Sequence, residues 1–271
     1  MRLNMASFGF IGTGNMGGAL VKAACKVVPH DEIFLFNRTP EKARALASEL
    51  GCSLALDAAA IAGSADFIFL GVKPQMMAEL LDEIAPALQK RTSRFVLVTM
   101  AAGLSIDNVR AMAGGSYPVI RIMPNTPVSV GEGMILYTSS GVNASEEREF
   151  LTAMAGSGLF SKLPESLIDA GSAVSGCGPA YVDLFLEALA DGAVACGLPR
   201  AQALQFAAQM TLGSARLALE SGKHPAVLKD AVCSPGGTTI QGVRTLERAG
   251  FRSAVMDAVI AAYEKTKALG K

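Results

Sequence analysis

A glycine-rich segment at residues 12–17 constrains the fold more than any other feature of the chain. It follows a short apolar run, Phe8–Ile11, that predicts a β-strand, and it opens a pattern typical of a helix. In this context Gly12 permits a tight turn, Gly14 lets a pyrophosphate approach the backbone, and Gly17 lets the helix pack closely on the strand. The free N–H groups and the dipole of the helix start attract phosphate. The dinucleotide-binding residues predicted here are Gly12, Thr13, Gly14, Asn15, Met16 and Gly17.

Short apolar runs alternate with helical patterns over residues 7–163. This alternation is typical of βαβ units that form a parallel sheet, and the runs are continuously apolar, as strands covered on both faces should be. Two of the runs, Met134–Tyr137 and Leu159–Leu163, predict additional strands at one edge. The other runs that predict strands are Phe8–Ile11, Ile33–Phe36, Phe67–Gly71, Phe95–Thr99 and Val119–Ile122.

The alternation stops after Pro164, and the rest of the chain has the pattern of helices. Ala-rich apolar positions recur there at spacings of three and four. We therefore predict an α/β fold in which a Rossmann-type, mostly parallel sheet domain at residues 1–163 binds a dinucleotide and is followed by an all-helical domain at residues 164–271. The helical pattern is interrupted at Gly197–Pro199, Ser221–Gly222 and Ser234–Gly237.

The end of the second predicted strand indicates which dinucleotide is bound. An NAD-preferring site places an acidic residue here to accept hydrogen bonds from the adenosine ribose, but the chain has Asn37, Arg38 and Thr39 instead. A carboxylate would repel a 2′-phosphate, whereas Arg38 carries a permanent planar charge and its two neighbours can donate hydrogen bonds. These residues predict a preference for NADPH, with NADH the weaker cofactor. The alternative is an exposed turn that only leads into the helix at Glu41.

Two segments that follow later strands lie at the same edge of the predicted sheet. One comes directly after Phe67–Gly71, and the other, Met100–Gly103, follows the next strand, where small residues leave room for a nicotinamide ribose. A lysine after a strand can equally be solvated, so chemistry alone leaves both interpretations of Lys73 open. The residues predicted to contact the cofactor here are Val72, Lys73, Pro74, Ala101 and Ala102.

Charge and cysteine content exclude several classes of function. The 24 basic and 24 acidic residues cancel to a formal charge of +0, which removes the electrostatic footprint of a nucleic-acid or membrane-surface protein and leaves a small molecule as the expected partner. The five cysteines are widely spaced and the two histidines stand far apart, so we predict reduced thiols and no metal site. The start of the chain lacks the pattern of a signal peptide, which predicts a cytosolic protein.

A glycine-rich turn interrupts the helical half at residues 234–239. The glycines of this Ser-Pro-Gly-Gly-Thr-Thr run can turn backbone N–H groups outward, and a helix then starts with Thr238 or Thr239 as its cap. A carboxylate at such an end would be held by backbone donors and the helix dipole without an arginine. A bare cap covered by water is the other interpretation.

Together these motifs resemble pyrroline-5-carboxylate reductase, in order and over nearly the whole chain. The resemblance implies NADPH-dependent reduction of 1-pyrroline-5-carboxylate to L-proline, the last step of proline biosynthesis. It also implies that the helical half is a dimerisation and substrate domain, that the homodimer shares its active site between subunits, and that dimers assemble into a larger oligomer such as a decamer. The segments that carry the resemblance are Gly12–Gly17, Val72–Pro74, Arg121–Pro127, Ser175–Tyr181 and Ser234–Thr239.

The resemblance also assigns roles to individual residues. Thr239 is similar in place to the family's hydroxyl beside the substrate nitrogen, and it is the implied catalytic residue. Backbone N–H groups of the glycine turn are implied to hold the substrate carboxylate, and Asn125 is implied on the cofactor side of the pocket. The implied substrate-binding residues are Gly236, Gly237, Thr238, Thr239 and Glu165.

Two departures from the family pattern and two rival functions bear on this assignment. Cys177 stands where a second serine is common, which leaves the glycine turn intact, and Ala231 stands where a polar residue is often found, so no polar side-chain contact is expected there. A β-hydroxyacid dehydrogenase would need a lysine four residues after Gly178, where the chain has the apolar Val182. A non-catalytic NADPH-binding protein of the same fold would have lost Thr239 or the glycine turn, and both are present.

Overall fold

The computed structural model describes residues 6–269. The chain forms two compact units: one contains the described residues up to Cys177 together with those from Ala262 onward, and the other spans Gly178–Ala261. These units are defined by packing alone, so the functional boundary between residues 163 and 164 stays a prediction. Within the first unit, a helix that begins at Glu165 packs beside the sheet.

The described residues of the first unit build one eight-stranded sheet with the strand order β3-β2-β1-β4-β5-β6-β7-β8. Neighbouring strands are parallel except for β6 and β7, which are antiparallel. The Rossmann-type, mostly parallel sheet is therefore confirmed, with its two extra strands at one edge. The strands are β1 Phe8–Ile11, β2 Ile33–Phe36, β3 Ser53–Leu54, β4 Phe67–Leu70, β5 Val96–Thr99, β6 Val119–Met123, β7 Gly133–Ser140 and β8 Gly158–Lys162.

The central strands are apolar along their whole length because helices cover both faces of the sheet. Every residue of β1, β4, β5 and β6 is buried. On one face Phe8 stacks on Phe67 and Phe10 on Phe69, with ring centroids 5.0 and 4.2 Å apart. A second buried cluster covers the other face and includes Ile11. The two clusters hold the strands of the sheet in place from both faces, and they thereby position the edge at which β1, β2 and β4 end.

Seven α-helices of the first unit lie between or after the strands. The last of them, α7, starts directly after Pro164, which restricts the chain to an extended conformation before the helix. The helices are α1 Asn15–Ala24, α2 Pro40–Leu50, α3 Ala58–Ser64, α4 Met77–Lys90, α5 Ile106–Ala113, α6 Ala144–Ala153 and α7 Glu165–Ser175. Short 3₁₀ turns occur at His30–Glu32, Pro74–Met76, Thr126–Val130 and Ala155–Ser157.

The second half of the chain is helical, as predicted, and breaks at the expected places. Gly197 and Gly222 take positive φ angles of +97° and +61° between helices, and Gly250, which was not predicted as a break, takes +76°. Helices α8 and α9 pack against each other. None of the helices between residues 6 and 269 combines the length and the apolar character of a transmembrane span. The helices are α8 Gly178–Ala195, α9 Arg200–Ser221, α10 Pro225–Val232, α11 Thr238–Arg248 and α12 Phe251–Leu269.

The Gly178–Ala261 unit leaves much of its apolar surface exposed. Its buried residues are small, for example Ala190, Ala203 and Ala207. Large apolar side chains of this unit are exposed in a single chain, and an accumulation of exposed apolar residues is typical of an interaction surface. They include Leu184, Phe206, Met210, Leu212, Leu217, Leu219, Val232, Met256 and Ile260.

Candidate active site

The glycine-rich turn between β1 and α1 has a steric requirement at two of its three glycines, Gly12 and Gly17. Gly12 has a φ of +104°, and a Cβ there would lie 2.4 Å from the Gly71 carbonyl oxygen. A Cβ on Gly17 would lie 2.1 Å from the Gly12 oxygen, so the helix can approach the turn only without a side chain. Gly14 is different, because apart from its own chain neighbours no described atom lies within 4 Å of its Cβ position. The first two glycines allow close packing, and the third leaves open space at the start of α1.

The other residues of this segment are placed in three different environments. Asn15 is the first residue of α1 and is exposed, whereas Met16 packs against the core. Thr13 is 6% exposed, and its hydroxyl has no hydrogen-bond partner among the described residues. The Thr13 N–H donates to Asn37 Oδ1 at 3.1 Å. Asn37 therefore ties the glycine-rich turn to the end of β2.

The amide of Asn37 is more occupied than the sequence suggested. Its Nδ2 donates to the Thr39 carbonyl at 2.9 Å, so at most one N–H of this amide is left for a phosphate. Thr39 is the N-cap residue of α2, but its side chain makes no capping hydrogen bond with the described residues. Arg38 between them is exposed. The predicted phosphate-binding turn is thus held by Asn37 and presents the side chains of Arg38 and Thr39.

A cavity of about 630 Å³ lies where β1, β2 and β4 end, at the carboxyl edge of the sheet. It brings together the predicted cofactor residues Gly12, Gly14, Val72 and Lys73, and the turn at residues 37–39 also lines it. In doubly wound folds this edge binds the adenosine half of a dinucleotide. Pro74 begins the adjoining 3₁₀ turn. The size, the open side of Gly14 and three cationic lining residues, Arg38, Lys42 and Lys73, fit a phosphorylated dinucleotide, although Glu79 and Glu83 also line the cavity.

Lys42 also lines this cavity and was not found from the sequence. It lies in the first turn of α2, close in sequence to the exposed Arg38. Cations are unfavourable at a helix N-terminus because the dipole is positive there. An anionic ligand bound at this end would offset the unfavourable placement of the two cations. The sequence feature that could have indicated Lys42 is its position four residues after Arg38.

The cavity at the ends of β1, β2 and β4 is the predicted adenosine cavity. Ala101, Ala102 and Asn125 are not among the residues that line it. Ala101 is 2% exposed and its N–H approaches Thr99 Oγ1 at 3.4 Å, while Ala102 is half-buried. Asn125 is 8% exposed; its Nδ2 donates to the Ser175 carbonyl at 2.9 Å and its Oδ1 accepts the Met134 N–H at 3.0 Å. The structure thus shows Asn125 joining β7 to the end of α7, and its cofactor contact stays a prediction.

Glu165 takes part in a polar cluster at the start of α7. Its Oε1 accepts hydrogen bonds from Arg121 Nη1 at 3.3 Å and from the Ile106 N–H at 2.8 Å. Arg121 Nη2 donates to Asp169 Oδ1 at 2.7 Å. The carboxylate that the resemblance placed near the substrate is therefore already engaged by two donors.

The turn at residues 234–239 corrects the predicted cap of α11. Gly236 takes a φ of +68°, and the N-cap is Gly237, so neither Thr238 nor Thr239 caps the helix. The Gly237 N–H closes the turn by donating to the Ser234 carbonyl at 3.0 Å, which removes it from the set of expected carboxylate donors. The helix therefore begins at Thr238, one or two residues earlier than a cap at Thr238 or Thr239 would place it.

The start of α11 nevertheless offers unpaired donors and hydroxyl groups. The first N–H groups of a helix lack partners within it, and no described side chain caps this one. Thr238 and Thr239 are exposed. A Cβ on Gly237 would lie 2.3 Å from Ser234 Oγ, so the Ser234 hydroxyl, which sequence reasoning did not assign, lies over the helix start. Among residues 6–269, no cluster of acidic, histidine and cysteine side chains is arranged to hold a metal ion.

Comparisons with known proteins agree along the length of the chain. A family model described as pyrroline-5-carboxylate reductase dimerisation matches residues 165–269, and one described as NADP oxidoreductase, coenzyme F420-dependent, matches residues 7–103. Pyrroline-5-carboxylate reductase of Escherichia coli is 43% identical over 97% of this chain and 98% of its own.

Solved structures agree with the sequence comparisons. A Plasmodium falciparum pyrroline carboxylate reductase with NADP bound has a TM-score of 0.88 and 32% identity, covering 98% of both chains. A Coxiella burnetii pyrroline-5-carboxylate reductase has a TM-score of 0.90 and 30% identity, covering 99% of this chain and 100% of that one.

Proposed function

The chain belongs to the pyrroline-5-carboxylate reductase family, and from this membership we propose that it reduces 1-pyrroline-5-carboxylate to L-proline with NADPH. The observation that carries this function is the uncapped start of α11, which follows the left-handed Gly236 and offers N–H groups beside exposed threonine hydroxyls. Such an end suits a small carboxylate substrate.

The residues that would hold NADPH line the cavity at the end of β1, β2 and β4. Gly14 leaves the backbone open to the pyrophosphate, and Arg38, Thr39 and Lys42 would hold the 2′-phosphate. The absence of an acid at residues 37–39 makes NADH the weaker cofactor. The bound cofactor supplies a hydride to the ring carbon of the imine.

In this reaction the protein's own residues orient the substrate and deliver one proton to the ring nitrogen. The N–H groups of Thr238 and Thr239 would hold the carboxylate, and the Thr239 hydroxyl would donate a hydrogen bond to the ring nitrogen. An imine is already electrophilic, so the site needs no strong base, and its main contribution is the geometry of attack. The nitrogen gains one proton as its bond to carbon becomes single, and this proton comes from a water, either directly or through the Thr239 hydroxyl, which regains its own proton from that water.

Replacing the Thr239 hydroxyl tests this proposal. We expect Thr239→Val to lower kcat about 100-fold, at the lower end of the effect of a positioned proton donor, while NADPH affinity stays within about twofold. Thr239→Ser should recover most of the activity because it restores the hydroxyl, and Thr238→Val serves as the matched control for loss of a neighbouring hydroxyl. Absorbance of NADPH follows turnover with pyrroline-5-carboxylate.

Three outcomes would contradict the proposal. Unchanged kcat in Thr239→Val would remove the hydroxyl from the mechanism. NADPH binding by the unaltered protein without turnover of pyrroline-5-carboxylate would support a non-catalytic NADPH-binding protein. Turnover with hydroxy acids or oxo acids alone would support a dehydrogenase of the same fold.

We also propose that two copies associate through the exposed apolar surface of the Gly178–Ala261 unit and that each active site uses residues of both subunits. Mixing Gly14→Val, which should not bind NADPH, with Thr239→Val tests the shared site. A mixed dimer regains one intact site only if the NADPH-binding residues and Thr239 of each site come from different subunits. Mixtures that stay inactive after confirmed subunit exchange would contradict the shared site. Sedimentation velocity measures the assembly, for which the resemblance supports a larger oligomer such as a decamer.

We place the protein in the cytosol. Cys25 and Cys52 are half-buried free thiols whose sulfur atoms share a hydrogen bond at 3.4 Å. Outside a reducing compartment two thiols at this separation would be prone to oxidation, which supports the cytosol over secretion.

A further inference from the structure

We infer that Glu165, held by Arg121, is a positioning residue that fixes the loop between β5 and α5 and, through this loop, the nicotinamide half of the cofactor. The loop comprises residues 100–105. The inference rests on the proposed function, because it assumes that NADPH extends from the adenosine cavity along the carboxyl edge of the sheet. It differs from the substrate contact that the family resemblance implied for Glu165.

Arg121 is an unusual residue for the inside of a sheet. It stands on β6 between the fully buried Ile120 and Ile122, and it is itself 3% exposed. Its guanidinium reaches two carboxylates on the first turns of α7, Glu165 at 3.3 Å and Asp169 at 2.7 Å. Burying such a group costs desolvation that an apolar side chain would avoid, so a buried ion pair is weak grounds for stability alone. The cluster instead specifies where α7 begins against β6.

Glu165 connects this cluster to the loop after β5. The oxygen that accepts from Arg121 also accepts the N–H of Ile106 at 2.8 Å. Ile106 is the first residue of α5, whose N-terminus is closed by a capping box between Ser105 and Asn108. A carboxylate at a helix N-terminus is favourable for the helix dipole. The end of the loop is thereby fixed to α7, and its start is continuous with β5.

The loop itself has the composition of a segment that lies against a ligand. It contains Ala101, Ala102 and Gly103, and Gly103 has a φ of +75°. It follows β5, the neighbour of β4 in the sheet, and the two residues that come after β4, Gly71 and Val72, line the adenosine cavity. A dinucleotide that starts at the ends of β1, β2 and β4 reaches β5 with its second half. Glu165 should therefore influence that half and leave the adenosine half unaffected.

Asp169 provides a matched control within the same cluster. It also pairs with Arg121, but the N–H of Ile106 goes to Glu165. Glu165→Ala and Asp169→Ala each remove one carboxylate from the buried guanidinium. The first variant alone releases the loop from α7.

Two ligands separate positioning from general damage. Adenosine 2′,5′-bisphosphate contains only the adenosine half of the cofactor, whereas NADPH contains both halves. Calorimetric titration of the full-length Glu165→Ala variant should show NADPH binding weakened about tenfold, with the affinity for adenosine 2′,5′-bisphosphate within about twofold of the unaltered protein. Asp169→Ala should bind both ligands within about twofold. Glu165→Asp should recover part of the NADPH affinity, because it restores a carboxylate.

Other results would overturn the inference. Equal weakening of both ligands would mean that Glu165 only stabilises the unit, and unchanged NADPH binding would mean that the loop does not depend on it. A raised KM for pyrroline-5-carboxylate with normal NADPH affinity would return Glu165 to the substrate. If Glu165→Ala fails to fold, Glu165→Gln keeps the volume and faces the same criteria. The titrations need no turnover, so they test the inference even if the proposed reaction fails.

Discussion

Gly12 and Gly14 are two residues apart in the same turn, but the structure predicts opposite consequences when each is replaced by alanine. At Gly12 the new methyl group would lie 2.4 Å from the Gly71 oxygen and 2.7 Å from the Gly71 carbon. The neighbouring strand cannot retreat freely, because the Gly71 N–H donates to the Ile11 carbonyl at 2.7 Å. The backbone angle of +104° adds strain for any residue with a Cβ.

These two effects give the magnitude for Gly12→Ala. A strained backbone angle costs about 1–3 kcal/mol, and overpacking a filled site costs about 1–3 kcal/mol more. Their sum, about 2–6 kcal/mol, is a large part of the 5–15 kcal/mol that stabilises a typical domain. We expect Gly12→Ala to unfold at a much lower urea concentration than the unaltered protein, or to be recovered poorly.

Gly14→Ala should leave the fold intact and weaken NADPH binding. Its φ of −66° and ψ of −168° are accessible to alanine, and apart from its own chain neighbours no described atom lies within 4 Å of the added methyl group. The poorer helix cap and the smaller entropy of the unfolded chain oppose each other, so the free energy of unfolding should change by less than about 1 kcal/mol. The methyl group would occupy the side from which a pyrophosphate approaches, which should weaken NADPH binding at least about tenfold, or about 1.4 kcal/mol.

Urea denaturation followed by circular dichroism and titration of NADPH fluorescence measure the two effects on the same samples. Gly14→Ala with unaltered NADPH affinity would show that the pyrophosphate does not approach this side of the turn. Gly12→Ala with an unaltered denaturation midpoint would show that β1 and β4 can separate at little cost, and the steric reasoning would then be wrong.

Three further predictions concern charge. Lys42→Ala should raise the KM for NADPH about tenfold and leave that for NADH unchanged; equal changes in steady-state assays would contradict a 2′-phosphate contact. The Lys162 ammonium donates a hydrogen bond to Glu147 and holds the pKa of that carboxyl below its usual range. Glu147→Gln should therefore lower the free energy of unfolding by about 1–3 kcal/mol at neutral pH. Because the contribution of a carboxylate with a lowered pKa is lost as pH falls through that pKa, the cost measured by urea denaturation should shrink towards pH 3, and a constant difference would refute it. Burial raises the pKa of Cys52 to about 12, so iodoacetamide should modify it more than about tenfold more slowly than the exposed Cys196 at pH 8, as followed by peptide mass spectrometry.

Every strand of the described sheet except β3 coincides with a predicted apolar run, and four of them, β1, β4, β5 and β6, consist wholly of buried residues. β1 and β4 are continuous apolar runs because the sheet is covered on both faces, so composition and structure coincide there. β3 was not predicted. It has two residues, Ser53 and Leu54, and it exists because it pairs with β2 at the edge of the sheet. A segment defined by pairing with a partner, rather than by its own pattern, leaves no periodic signal.

The site shows the same division between local and long-range determinants. The glycine-rich turn was predictable because its steric requirements concern neighbours along the chain and one adjoining strand. The use of Asn37 to hold the Thr13 N–H was not, since the bond joins residues 24 positions apart. Glu165 meets Ile106 across 59 positions. A polar side chain in a motif can serve a ligand or the fold, and its partners decide which.

The Gly178–Ala261 unit contains both the exposed apolar side chains proposed for association and the threonine proposed for chemistry. In a single chain the Gly178–Ala261 unit buries small residues such as Ala190 but exposes large ones such as Leu219, which is 82% exposed. Burying a side chain of that size is worth about 1.5–3 kcal/mol, so the unit gains most of its possible stabilisation only against another apolar surface. Thr239 belongs to the same unit. The hydroxyl proposed to serve the substrate nitrogen therefore belongs to the same unit that we propose associates with a second copy.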